Sequence, residues 1–250
     1  ELTLFEGDYI SLINYDFIKS VDCQTKCLIT LDDDDCHSFN LITGRDCDLI
    51  LTTCPTSVQK YLNSGMNSHL FTLESSAEVF KDYRKGKNID VLFFGRKSKY
   101  RQEYIDFIKS KDISIKIVGW DGPDKVSDNE LAEIISRSKI VINFSEASNK
   151  YKKYNRESSN KKINQLKGRI WQAGLCKSAC ISDNFISREI IFSERQLAIF
   201  NNKEECVSLI KKFLNDGKLL KEYTENLHEI VLEKYESKKN LTEINNYMSK

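Results

Sequence analysis

The stretch Asp48–Leu73, DLILTTCPTSVQKYLNSGMNSHLFTL, decides the fold. It opens on a short apolar run, DLILTT, that lacks the alternation of a half-exposed strand. Both faces of that strand are therefore expected to be covered. Pro55 follows, and proline suits a helix's first turn because the N–H it lacks has no partner there. The run TSVQKYLNSG reads as the helix, with Gly65 as its left-handed stop. A second apolar run, HLFTL, comes at once. Strand, helix and strand in one segment form the repeating unit of a parallel α/β sheet.

Outward from this segment the same unit recurs. Strands are predicted at Cys27–Leu31, Asp48–Thr53, His69–Leu73, Ile89–Phe94, Ser114–Val118, Ile140–Phe144, Ala179–Ser182 and Leu197–Phe200. Helices are predicted at Thr56–Asn63, Lys99–Lys111, Asp128–Ser138, Ile163–Cys176 and Lys203–Asn215, and the tail after them carries helical periodicity. A polar stretch near Ser75–Asn88 separates two strand series. The chain is accordingly divided into a first α/β region (1–86), a second (87–235) and a C-terminal helix (236–250) that packs back on the first. The polar run Glu146–Lys162 is expected to be an exposed loop.

The composition excludes several classes. Lys plus Arg (38) balances Asp plus Glu (37) over 250 residues, so no overall field selects nucleic acid or an anionic membrane. No apolar run reaches the roughly 18 residues of a membrane span. No signal peptide is visible and residue 1 is Glu, so a cytoplasmic protein with an upstream segment is expected. The eight cysteines lack metal-ligand spacing, and His37, His69 and His228 are scattered. Buried, reduced thiols and no metal site are the expectation.

Four stretches hold candidate chemistry. In Ile89–Arg101, IDVLFFGRKSKYR, a buried strand ends at Gly95, and Arg96 and Lys97 follow before a helix. Strand ends of open α/β sheets bind ligands, glycine allows close backbone approach, and such cations suit a diphosphate; a plain solvated turn is the alternative. In INQLKGRIWQAGLCKSACISDN, Lys167, Gly168 and Arg169 stand at a helix start, with Trp171 expected in the core. The loop GWDGPDK offers Trp120 to a nucleobase or to a sheet edge. The acids Asp32–Asp35 and His37 follow the first strand; they either supply a base and an acceptor-binding group or form an acidic loop that caps the next helix.

The order of these pieces resembles the glycosyltransferase-like domain of the spore maturation protein CgeB family, within the broader GT-B glycosyltransferases. The resemblance covers roughly Ile89–Tyr235. It rests on DVLFFG (Asp90–Gly95), KIVINFS (Lys139–Ser145), LKGR with a following aromatic (Leu166–Arg169, Trp171), the strand ending at Asp183, Glu189 near the next helix, and LAIFNNKEECVSLIKKFLND. It implies two Rossmann-like domains, the N-terminal one incomplete. It also implies transfer of a sugar from a nucleotide-diphosphate sugar to a glycan, lipid or protein hydroxyl, with no cofactor and no metal. Together with the strand-end reading of Gly95, Lys97 and Trp120, it gives as expected donor-binding residues Gly95, Arg96, Lys97, Trp120, Lys167, Gly168, Arg169, Gln172, Asp183 and Glu189. Gln172 stands where the family has an acid, and Lys177 where it has glycine. Asp34 and His37 are the candidate catalytic residues. The alternative is a degenerate domain that binds a nucleotide or glycan without transfer.

Overall fold

The computed structural model describes residues 19–31, 33–72, 75–119, 124–147 and 163–248. Their strands form two sheets, both parallel throughout. The first has the order β1-β2-β3, from β1 (Cys27–Thr30), β2 (Leu49–Thr52) and β3 (Ser68–Leu70). Helices α1 (Asp33–Gly44) and α2 (Pro55–Asn63) connect them. Pro55 opens α2, and Gly65 just beyond it takes φ +77°, the left-handed stop its sequence predicts.

The second sheet has the order β5-β4-β6-β7-β8. Its strands are β4 (Ile89–Phe94), β5 (Ile115–Val118), β6 (Ser138–Asn143), β7 (Ala179–Asp183) and β8 (Ala198–Phe200). Between them run α3 (Lys99–Lys109), α4 (Asp128–Ser136), α5 (Arg169–Leu175) and α6 (Arg188–Ile191). The chain continues through α7 (Lys203–Asn215), α8 (Gly217–Ile230), a π-helical turn (Val231–Tyr235) and α9 (Ser237–Met248). Side chains start several helices. Ser98 accepts from Arg101 N, Ser127 and Glu130 form a reciprocal capping box, and Asn202 accepts from Glu205 N.

Burial on both faces accounts for the unbroken apolar strands. Leu92, Phe94, Val141 and Cys180 pack on one face with Ile170 and Trp171 of α5 and Leu227 of α8. Val91, Phe93, Ile140, Ile142 and Ile181 pack on the other with Ile105 and Ile108 of α3 and Ile210 and Phe213 of α7. Trp171 belongs to this core, its ring 4.8 Å from that of Tyr235. The chain end returns to the first sheet: Ile244 of α9 packs with Leu49, Leu51 and Phe71. Thr72 N donates to Asn240 Oδ1 (3.0 Å), and Thr72 Oγ1 donates to the Tyr235 carbonyl (2.8 Å).

Three sequence expectations differ from the structure. The helix expected from Ile163 starts at Arg169, because the preceding residues pair backward: Ala147 N donates to Ile163 O and Gln165 N to Ser145 O. Asp33–Asp35 form the first turn of α1 rather than a loop. Of the eight free cysteines only Cys54, Cys176, Cys180 and Cys206 are buried, and Cys23 is exposed.

Candidate functional site

Counted within its own sheet, the second sheet runs 2-1-3-4-5. The chain leaves β4 to build β5 on one side, then crosses to build β6 on the other. Connections that part this way open a crevice at the carboxyl ends of the two central strands, where open α/β sheets bind ligands. The guanidinium of Arg169, the first residue of α5, lies at this point. Its Nη1 donates to the Phe94 carbonyl at the end of β4 (3.5 Å), and its Nη2 to Phe144 O just past β6 (2.7 Å). Its Nε donates to Asn143 Oδ1 (3.1 Å), and the cation sits 5.8 Å from the Phe93 ring centre.

Gly95 makes this approach possible. Its φ is +123°, and a β-carbon there would lie 2.8 Å from Arg169 Nη1. Its N–H donates to Val118 O (3.0 Å), which extends the β4–β5 ladder to the sheet's rim. Beside it opens a cavity of about 270 Å³ lined by Gly95, Arg96, Lys97, Gly119 and Asp124. Arg96 and Lys97 are exposed, and Lys97 Nζ pairs with Asp124 at 3.2 Å. The loop bearing the two cations is held from below by buried Arg101, whose Nη1 donates to Arg96 O (2.7 Å) and whose Nη2 donates to Glu146 O (3.1 Å).

Asp183, at the end of β7, is turned into the protein. Its carboxylate accepts from Ser145 N (2.6 Å) and Tyr100 OH (3.1 Å). Burial pushes its pKa above the usual carboxylate range, against the opposing pull of the Ser145 and Tyr100 hydrogen bonds and of Arg169. Gln172 is buried within α5, and Glu189 is exposed and paired with Arg188 at 2.6 Å. Lys167 and Gly168 are half-buried immediately before α5. Trp120 lies outside the described residues. The structure thus gathers Gly95, Arg96, Lys97 and Arg169, and gives Asp183 and Gln172 interior surroundings.

Asp34 and His37 belong to the other sheet, on α1 after β1. Asp34 accepts from Cys54 Sγ (2.9 Å) and Thr56 Oγ1 (3.3 Å), both just past β2; burial raises its pKa. His37 lies against Tyr61, ring centres 4.6 Å apart, and burial lowers its pKa. Its neighbour Asp33 is fully buried. It accepts from Thr30 (2.5 Å), Asn40 (2.6 Å), Tyr61 OH (2.9 Å) and Thr52, and so ties β1, β2, α1 and α2 together. Among the described residues no group of His, Cys, Asp or Glu is arranged to hold a metal ion, and no helix is long and apolar enough to cross a membrane.

Asn143, Ser145, Arg101 and Asp124 were not singled out from the sequence. Asn143 and Ser145 left a signal, as polar residues at the end of an otherwise apolar strand, KIVINFS. Arg101 and Asp124 left none, because their partners are backbone and a cation far along the chain.

Residues 87–246 match the protein family described as glycosyl transferase-like. The chain belongs to that family. The matched span of this glycosyl transferase-like chain holds the whole second sheet and Arg169, whereas Asp34 and His37 precede it. No curated protein matches the chain. Its fold is that of GT-B glycosyltransferases of known structure. Anabaena Alr3699/HepE, solved with UDP and glucose, has a TM-score of 0.63 at 10% identity over 89% of this chain and 71% of that one. Sucrose-phosphate synthase from Thermosynechococcus elongatus gives 0.58 at 10% over 84% and 60%. The pneumococcal O-GlcNAc transferase GtfA, in complex with UDP and GlcNAc, gives 0.58 at 8% over 85% and 47%. The glycosyl transferase-like chain therefore spans about 60% of the synthase and about half of GtfA.

Proposed function

We propose that the chain transfers a sugar from a nucleoside-diphosphate sugar to an acceptor hydroxyl, with the diphosphate held at the carboxyl ends of β4 and β6. The observation that carries this is the guanidinium of Arg169 set against Gly95 at the switch point, beside a cavity edged by Arg96 and Lys97. When the glycosyl carbon–oxygen bond breaks, its electrons pass to the diphosphate. Fixed cations at that point stabilise the developing charge without reorganisation. Gly95, Lys167 and Gly168 belong to the same donor side. The acceptor oxygen bonds to the glycosyl carbon, and its proton passes to Asp34 or His37. Burial raises the pKa of Asp34, which makes its carboxylate a better proton acceptor than an exposed one, and lowers that of His37.

In this proposal residues 1–86 serve the acceptor, 87–235 the donor, and 236–250 join the two. The diphosphate charge is met by Arg169, Arg96 and Lys97 without cofactor or metal, so transfer is expected to survive EDTA. UDP is the first donor nucleotide to test, since it is present in the HepE and GtfA complexes. The motif LKGR suggests kinship with the CgeB branch, and the free thiols suit a reducing cytoplasm.

Arg96→Ala and Lys97→Ala alter exposed side chains. Each is expected to weaken UDP binding by calorimetry about tenfold, with melting temperature unchanged, since a charge-assisted hydrogen bond contributes about 1.5–3 kcal/mol. Unchanged UDP affinity in both variants defeats the proposal. Burial of Gln172 favours a second reading, a module that binds nucleotide without transfer. Binding of UDP without hydrolysis or transfer, across a panel of UDP- and GDP-sugars, would select it.

A further inference from the structure

Asp183 is only 4% exposed, and its carboxylate faces interior partners rather than the crevice. Burying a charge is costly, so those partners call for an account. One carboxylate oxygen accepts from Ser145 N at 2.6 Å, and the other accepts from Tyr100 OH at 3.1 Å. Ser145 N belongs to the peptide group that joins Phe144 to Ser145. The carbonyl of that same peptide is Phe144 O, which accepts from Arg169 Nη2 at 2.7 Å. One buried peptide past the end of β6 therefore carries a carboxylate at its N–H and a guanidinium at its C=O. Both bonds are short and charge-assisted, and each polarises the peptide in the sense that strengthens the other. A second path from the guanidinium reaches the same residue. Arg169 Nε donates to Asn143 Oδ1, Asn143 Nδ2 to Ser182 Oγ (2.8 Å), and Ser182 Oγ to Asp183 O (2.8 Å). That path ends on the backbone of Asp183, so only the peptide path depends on its side chain.

We infer that Asp183 is a positioning residue: through the Phe144–Ser145 peptide it fixes the Arg169 guanidinium against Gly95, where the diphosphate binds. This rests on the donor-site proposal and deepens it, because it assigns Asp183 to the arginine rather than to the donor itself. A cation held by fixed acceptors meets a phosphate without first reorganising. Without the carboxylate the peptide is free to turn its carbonyl away, and the guanidinium loses its 2.7 Å hydrogen bond. Tyr100 binds the same carboxylate but lies off this path.

The test measures UDP affinity by calorimetry, below the melting temperature of every chain compared. These are the full chain, Asp183→Asn, Tyr100→Phe, Arg169→Met and the double variant Asp183→Asn/Arg169→Met. Asp183→Asn removes the charge at nearly unchanged volume. It is expected to weaken UDP binding about tenfold, within the range for residues joined in one hydrogen-bond network. In the Arg169→Met background the same change should cost nothing further, because the group it positions is gone. Tyr100→Phe also deletes a hydrogen bond to Asp183, and should lower the melting temperature yet leave UDP affinity near that of wild type. A role in stability alone would lower the melting temperature in both variants and UDP affinity in neither. In the ligand-free chain, nitrogen-15 NMR reads the guanidinium directly. The Arg169 side-chain N–H signals, identified by their absence in Arg169→Met, should shift or broaden in Asp183→Asn and hold in Tyr100→Phe. If Asp183→Asn does not fold, Asp183→Glu replaces it, keeping the charge but displacing the carboxylate, with the same expected losses. Unchanged UDP affinity in the Asp183 variant, or equal losses with and without Arg169, overturns the inference and leaves the donor site standing. UDP affinity that Arg169→Met does not move removes the donor role of Arg169 and this inference together.

Discussion

Gly95 and Arg169 act as one unit. The guanidinium occupies the space where a β-carbon of residue 95 would begin, and residue 95 holds a φ of +123° that side chains rarely adopt. Gly95→Ala therefore suffers twice, from backbone strain of about 1–3 kcal/mol and from a displaced cation. It should lower the denaturation midpoint and weaken UDP binding at least tenfold, read by chemical denaturation and calorimetry. His37 makes a second prediction. Its folded pKa is lowered from 6.5 by burial, partly offset by Asp33 and Asp34. The unfolded chain then binds the proton first as pH falls, so this histidine's contribution is complete above about 6.5 and is lost on acidification below it. Asp34, with a raised pKa, has the opposite sign, its burial opposing folding as pH rises from 3.8. His37→Gln should flatten the stability loss between pH 7 and the folded pKa, as followed by urea midpoints.

At the scale of elements, α5 and α8 meet closely. A β-carbon on Gly174 would lie 2.8 Å from Val231 Cγ2 and 3.2 Å from the Leu227 carbonyl, and His228 Nδ1 lies 2.9 Å from Gly174 O. Backbone cannot yield as a side-chain tip can, so Gly174→Ala should destabilise by about 1–3 kcal/mol despite alanine's better helix propensity. Thermal melts check this. The strands and most helices were legible because burial on both faces writes itself as unbroken Val, Ile, Leu and Phe, and Pro55 and Gly65 punctuate α2 in plain chemistry. α1 was not legible as a helix: its apolar residues are few and its first turn is a run of acids, which only Thr30, Thr52, Asn40 and Tyr61 around Asp33 make tolerable. The start of α5 was missed because helical periodicity continues into 163–168, where pairing with 145–147 prevails. Arg169 was singled out by its place beside Gly168, but its clasp on Asn143 and the two strand ends is tertiary. Lys177 shows a further local conflict, a lysine at φ +52°, in a backbone region that favours glycine.

At the scale of the whole molecule, the last helix completes the first sheet. Ile244 is buried against Leu49, Leu51 and Phe71, and Asn240 satisfies the Thr72 amide. Ile244→Ala should cost about 2–5 kcal/mol, the range for emptying a buried aliphatic site. Hydrogen exchange should place the loss at residues 49–52 and 70–72 as well as in α9. An equal loss confined to α9 would show that the contact does not couple them.

That contact also orders events in time. A ribosome finishes Leu49, Leu51 and Phe71 long before it reaches Ile244, so one apolar side of these strands waits uncovered until α9 has been made. Synthesis of α9, rather than emergence of the first sheet, is then the moment at which that sheet settles. Anything that disturbs α9 will be felt at β2.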